Sequence, residues 1–183
     1  MDVPGRRGIS LPPSVTCLAA LVVGLSACAP AFEFKPCKAT RHPCGIQAGI
    51  ELPDGTTGEP RAIPPPGART TVVEFWAIHC EPCRRTLRAL DEHRGALQRD
   101  GVAVVRVAVL HRGDPIEPVR EAYGSLGVTG SFLVDWGADY ARDLKVRSVP
   151  ATVVLDREGR VRWLAPGNAT AEEIAQAALA VAE

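Results

Sequence analysis

Two cysteines, Cys80 and Cys83, stand three positions apart in Cys80-Glu81-Pro82-Cys83. On a helix, positions i and i+3 lie on one face, so the two sulfurs can close a disulfide with little backbone movement. A helix that starts near Cys80 puts that sulfur at the positive end of the helix dipole, beside unpaired backbone N–H groups. This placement favours the thiolate, the species that attacks disulfides. Pro82 suits such a start, because a residue of the first turn needs no amide hydrogen. Cys83, Leu87, Leu90 and Leu97 follow at spacings of four, three and seven. They make one apolar stripe, which must face a sheet. Cys83 is then buried and Cys80 exposed at the tip. Cys80 is the expected nucleophile toward a substrate disulfide, and Cys83 the thiol that resolves the mixed disulfide. The chemistry requires no cofactor beyond the redox-active disulfide itself.

These cysteines need a strand before them and a helix after them. Residues 71–77 are β-branched and aromatic, the composition of a buried strand. Residues 82–99 have helical spacing. Residues 102–110 form an almost continuous apolar run, which suits a strand covered on both faces of a parallel sheet. Further on, 115–126 reads as a helix, 131–135 as a short strand and 138–144 as a helical stretch. Residues 151–155 and 160–164 flank Asp156-Arg157-Glu158-Gly159 and read as a hairpin. Thr170 starts a last helix, with Glu173 completing a capping box. Near the front, 46–59 alternates weakly around Pro53-Asp54-Gly55, which predicts a short hairpin. Residues 60–67 contain Pro64-Pro65-Pro66 and can form neither a central strand nor a helix. The order predicts an α/β fold, a mixed central sheet with helices on both faces.

The chain has 183 residues, 46% of them hydrophobic and 23% charged, enough for one globular domain and a targeting segment. Lys+Arg and Asp+Glu both number 21, so there is no electrostatic footprint for nucleic acid. Arg6-Arg7, an apolar run over 15–25 and Ser26-Ala27 before Cys28 follow the plan of a secretory signal. The run is too short to cross a bilayer as a helix, which needs about 20 residues. Arg6-Arg7 admits a twin-arginine export route, but its flanks match that signal poorly. Leu25-Ser26-Ala27-Cys28 resembles the lipobox of bacterial lipoproteins, which implies cleavage before Cys28 and lipid on its thiol. The expected organisation is a signal over 1–27, a lipid-anchored tether over 28–45 and a domain over 46–183.

Export also accounts for the six cysteines. Cys17 leaves with the signal and Cys28 carries lipid, which leaves two close pairs, Cys37/Cys44 and Cys80/Cys83. Cys37 and Cys44 read as a structural disulfide closing a small loop. A metal site of Cys37, His42 and Cys44 is the other reading, but it lacks an evident fourth ligand unless His79 comes near. No metal is expected. His93 and His111 stand alone and read as surface residues.

Residues 75–84, Phe-Trp-Ala-Ile-His-Cys-Glu-Pro-Cys-Arg, resemble the active-site segment of thioredoxins, above all their exported TlpA/ResA-like branch. The resemblance runs from about Ile46 to the C-terminus and implies a thioredoxin-like fold. It sets Val149-Pro150 where the family has its cis-proline. By that implication Pro150 is cis and lines the substrate groove beside Cys80 with Trp76 and Val149, whose backbone can pair with a bound peptide. Glu74 falls where thioredoxins hold a buried acid thought to relay a proton to the second cysteine. Many TlpA-like proteins have Asn there. A carboxyl under a sheet would have a raised pKa and could serve Cys83 as a general base. Strand alternation that turns Glu74 to solvent is the alternative. His79 replaces the usual Trp. Protonated, it would stabilise the Cys80 thiolate, whereas Glu81 opposes it and Arg84 and Arg85 offset Glu81. An exposed histidine with no role is the other reading.

The resemblance implies an exported, membrane-anchored thiol–disulfide oxidoreductase. It would reduce the disulfides of exported proteins, apocytochrome c being one candidate, with electrons from a membrane thiol donor. Proline directly before the second cysteine resembles reducing members more than oxidising ones. A disulfide oxidase or isomerase competes within the class. A copper- or haem-handling chaperone on the same fold competes from outside it.

Overall fold

The computed structural model describes residues 44–167 and 169–182, which fall in the unit Phe32–Glu183. The expected signal over 1–27, the lipid site Cys28 and most of the tether, including Cys37, lie outside the described residues. Cys44 forms a disulfide. The strands are β1 (Ile50–Pro53), β2 (Pro60–Ile63), β3 (Thr70–Trp76), β4 (Val102–Leu110), β5 (Leu133–Trp136), β6 (Ala151–Asp156) and β7 (Val161–Pro166). The helices are α1 (Glu81–Arg99), α2 (Glu117–Gly124), α3 (Asp139–Asp143) and α4 (Ala171–Ala182).

The main sheet has the order β5-β4-β3-β6-β7. β3, β4 and β5 are parallel, β6 runs antiparallel to β3, and β7 antiparallel to β6. All seven residues of β3 are buried, because both faces of the sheet are covered. Val73 and Phe75 enter the layer that holds Tyr140, Ala141 and Leu144 of α3 and Leu52 and Ile63 of the β1–β2 ribbon. Val72 and Trp76 enter the opposite layer. There Val72 packs with Leu90, Leu97 and Ile174, and Trp76 with Cys83, Leu87, Val119 and Tyr123. The expected mixed sheet with helices on both faces is therefore what the chain forms. The stripe of Cys83, Leu87, Leu90 and Leu97 is the buried face of α1, and each leucine contributes about 1.5–3 kcal/mol of burial. Thr170 and Glu173 exchange the two hydrogen bonds of a capping box at the start of α4, at 3.2 and 2.9 Å.

The front hairpin departs from the expectation. Its connection runs over 54–59, and its second strand, β2, starts at Pro60. This strand belongs to a separate two-stranded ribbon rather than to the centre of the sheet, and proline is tolerated as a first residue of an edge strand. Asp54 organises the turn, accepting the backbone N–H groups of Thr56 and Thr57 at 2.8 and 3.1 Å. Gly55 donates its N–H to the Phe132 carbonyl at 2.7 Å. A Cβ on Gly55 would stand 2.2 Å from the Phe132 ring, so only glycine permits this contact. The Asp54–Leu133 bridge thereby covers the outer edge of β5.

The apolar run of β4 also conceals a charge. Arg106 is 3% exposed. It donates to Asp91 at 2.6 Å, to the Thr129 carbonyl at 2.6 Å and to the Tyr123 hydroxyl at 3.1 Å. Burial pushes the Asp91 carboxyl up, but hydrogen bonds from Thr129 and the charge of Arg106 outweigh it and hold the group below its ordinary value. Removing one partner of a buried pair leaves the other uncompensated. Asp91→Ala is expected to lower the unfolding free energy by about 3 kcal/mol in urea titrations. Adding Arg106→Met should recover part of that loss, which a double-mutant cycle reads as positive coupling.

Candidate active site

β3 ends at Trp76, the chain turns through residues 77–79, and α1 begins at Glu81. Cys80 is the N-cap of α1. Its backbone is extended, and its sulfur accepts the N–H of Cys83 at 3.2 Å. Cys80 and Cys83 are joined as a disulfide, with their Cα atoms 5.2 Å apart. Cys83 is fully buried, whereas Cys80 is half-buried. The division expected from the helical stripe is thus present. The reachable sulfur sits at the helix N-terminus, and the second sulfur lies beneath it. In the reduced protein the same N–H and dipole favour thiolate at Cys80.

The charges around Cys80 lie outside the core. His79 is exposed. Glu81 is exposed and makes long ion pairs with Arg84 at 3.9 Å and Arg85 at 3.8 Å. Pairs of that length and exposure stabilise by less than about 1 kcal/mol, yet they hold two cations beside the acid nearest the thiol.

Glu74 does not reach solvent. Both faces of β3 are covered, so alternation turns its side chain under α1, into the layer that also holds Cys83 and Trp76. Its register partner on β6 is Thr152, whose hydroxyl donates to Glu74 Oε2 at 2.5 Å. Glu74 Oε1 has no hydrogen-bond partner. A narrow crevice is lined by Glu74, Thr86 of α1, Pro150 and Thr152. Burial outweighs the Thr152 hydrogen bond and the Arg106 charge, which both favour ionisation, and raises the carboxyl from 4.5 to about 8. Glu74 is therefore a carboxylic acid that exchanges protons near neutral pH.

The Val149–Pro150 peptide bond is cis, as the resemblance implied. Ala151 pairs with Phe75 at the end of β3, which brings Pro150 to the end of the strand from which Cys80 emerges. Val149 is partly exposed and packs with Cys80 against one buried cluster. Trp76 requires a correction. Expected in the groove, it is 1% exposed, with its ring centroid 5.6 Å from Tyr123 and 5.7 Å from Phe132. The covering of this face by α1 and α2 leaves it no path to a substrate, so it supports the site from below. Thr152 and Thr86 escaped the sequence reading. The one available signal was a hydroxyl in the apolar run 151–155, and its meaning required the β3–β6 register. Among the described residues no three His, Cys, Asp or Glu side chains gather as a metal-binding group. Cys37 and His42 lie outside them.

The raised pKa of Glu74 links stability to pH. A neutral Glu74 is favoured in the fold, so its contribution is fully present below about 4.5. It erodes as pH rises and is lost as pH passes about 8. Glu74→Gln stays neutral throughout. Between pH 5 and pH 8.5 the oxidised wild-type protein should lose on the order of 2–4 kcal/mol more than Glu74→Gln, at about 1.4 kcal/mol per pKa unit. Parallel urea titrations of the two proteins across that range measure the difference.

The chain is similar to known proteins in sequence and in fold. The thioredoxin-like protein YneN of Bacillus subtilis is 30% identical over 139 residues, which cover 72% of this chain and 79% of that protein. The thiol-disulfide oxidoreductase ResA of Geobacillus thermodenitrificans is 28% identical over 104 residues, and the chain spans 58% of its length. Among solved structures, StoA of Bacillus subtilis superposes with a TM-score of 0.61 at 21% identity, over 72% of this chain and 97% of that one. A secreted thiol-disulfide isomerase of Corynebacterium glutamicum superposes with a TM-score of 0.64 at 19% identity, over 73% of this chain and 83% of that one. At such identities these structures establish the thioredoxin-like fold. Residues 65–179 match the Redoxin family. That segment is more than half of the chain and takes in both cysteines and the cis-proline: the chain belongs to the Redoxin family.

Proposed function

We propose that this thiol–disulfide oxidoreductase is an exported reductase of protein disulfides, held at the membrane by lipid on Cys28. The observation that carries the reading is the pair itself. A half-exposed sulfur at a helix N-terminus is bonded to a fully buried one three residues on. The Cys80 thiolate attacks one sulfur of a substrate disulfide and expels the other half as thiolate. Cys83 gives its proton to the ionised form of Glu74 and attacks the Cys80 sulfur of the mixed disulfide. The substrate leaves with two electrons, and the protein is left as the Cys80–Cys83 disulfide. A membrane thiol donor must then return the electrons.

The reductive direction is supported by Pro82 directly before the second cysteine. Export is supported by the signal-like segment over 1–27, the lipobox-like Leu25-Ser26-Ala27-Cys28 and the even count of thiols that remains. Similarity in fold to a secreted thiol-disulfide isomerase agrees with it. Similarity to ResA proteins makes apocytochrome c thiols one candidate substrate.

Cys83→Ser removes the resolving thiol, so mixed disulfides through Cys80 should accumulate in cells and disappear in Cys80→Ser/Cys83→Ser. Their identification by mass spectrometry names the substrates. The potential of the Cys80–Cys83 couple, measured against glutathione, should lie at the reducing end, near −270 mV rather than about −120 mV. A couple at the oxidising end would refute the direction proposed.

A further inference from the structure

β4 is nine residues long, but β5 pairs only with its last stretch, Val107–Leu110. Over Val102–Arg106 the strand has β3 on one side and, among the described residues, no strand on the other. At about 3.3 Å per residue that open edge is roughly 16 Å long. An open edge presents backbone N–H and C=O groups without partners and accepts a further strand. A groove of about 400 Å³ lies against it. The lining joins residues 104–106 to Pro65, Pro66, Gly130 and two more arginines, Arg61 and Arg94, and includes no acidic side chain. Pro65 and Pro66 have no amide hydrogen, so that neighbouring segment cannot close the edge as a strand of its own.

The acids that hold two of these arginines stand outside the lining. Asp91 takes Arg106 at 2.6 Å, and Asp54 takes Arg61 at 3.4 Å. Arg94 pairs with no acid among the described residues and donates to the Thr129 hydroxyl. Arg94 Nη2 and Arg106 Nη1 lie 3.5 and 3.7 Å from the point that a Cβ on Gly130 would occupy. The two cations thus converge beside a residue with no side chain. Arg106 Nε is buried with no hydrogen-bond partner. The groove therefore carries an excess of positive charge and of N–H donors.

Charge and backbone together decide among occupants. A second copy of the chain, set edge to edge, would bring arginines against arginines. A free oxyanion would use the guanidinium groups and leave the backbone edge unused. An extended acidic segment uses both, its main chain on the edge and its carboxylates on the arginines. Charged side chains also guard an edge against indiscriminate pairing, so the same arginines refuse a basic segment.

We propose that the edge of β4 over Val102–Arg106 is a docking site for an extended acidic segment of a partner polypeptide, which adds a strand to the sheet and sets its carboxylates against Arg94 and Arg61. The site lies on the N-terminal half of β4, whereas Cys80 follows the C-terminal end of the parallel strand β3. Docking therefore leaves the cysteines free, and it does not depend on the direction of electron transfer.

The test uses the oxidised protein and short, cysteine-free, fluorescein-labelled peptides in which Val alternates with Glu, Lys or Ser, so that no thiol exchange occurs. Fluorescence polarisation at low salt should show the Glu peptide binding at least tenfold more tightly than the other two. N-methylation of alternate amides removes the pairing donors in one of its two frames, and in that frame should weaken binding at least fivefold. Arg94→Glu should weaken the Glu peptide at least tenfold. In the wild-type protein, titration with the Glu peptide should shift the amide resonances of Val102–Arg106 and Gly130, a readout that does not rest on the variant's folding. No preference for Glu, or shifts confined to other residues, would overturn the site. Equal binding of both methylated frames and the unmethylated peptide, with inorganic phosphate alone shifting the same amides, would make it an oxyanion site and overturn strand docking. A dimer in sedimentation that the peptide dissociates would assign the edge to a second copy and overturn it as well. The reductase reading stands or falls separately, on the mixed disulfides trapped by Cys83→Ser.

Discussion

The covering of β3 on both faces is the constraint on which the rest of the site depends. A strand with solvent on one side would turn Glu74 outward and leave it an ordinary carboxylate. Here α1, α2 and α4 close one face, and α3 with the β1–β2 ribbon closes the other. The carboxyl is thereby placed in an apolar layer with one hydroxyl partner. The protein thus keeps a protonated acid in its core near neutral pH, in the same layer as the buried sulfur. Burial stabilises the fold through β3 and at the same time tunes its one titratable residue.

The asymmetry between the two sulfurs has an equally simple origin. A helix start gives its N-cap residue a half-exposed position and unpaired N–H groups, and the stripe three residues on must face the sheet. Cys80 and Cys83 occupy those two positions. Their opposite exposures follow from docking α1 on β3, with no further device. The buried Arg106–Asp91 pair works beside this, tying the middle of α1 to β4 and the loop at Thr129. The helix that carries the cysteines is thereby anchored behind them as well as below.

The two neighbours of β3 shape what can approach Cys80. Antiparallel β6 delivers cis-Pro150 to one side, and parallel β4 overruns β3 and opens a pocket on the other.

Local spacing by itself determined the redox pair, the apolar stripe of α1, the capping box of α4 and the strand–helix order, because each depends on residues within a turn or two. It also determined that Cys80 would be the reachable sulfur. It did not place the second strand of the ribbon, because Pro60 is compatible with an edge that only pairing reveals. The resemblance to thioredoxins put Trp76 in the groove, although α1 and α2 bury it. Local spacing left Glu74 open between core and solvent and did not find Thr152, Thr86 or the Arg106–Asp91 pair. These were decided by tertiary structure alone. Whether a strand residue meets water or a helix, and which residue on a distant strand stands opposite it, are set by layer and register, and neither is encoded within a single segment.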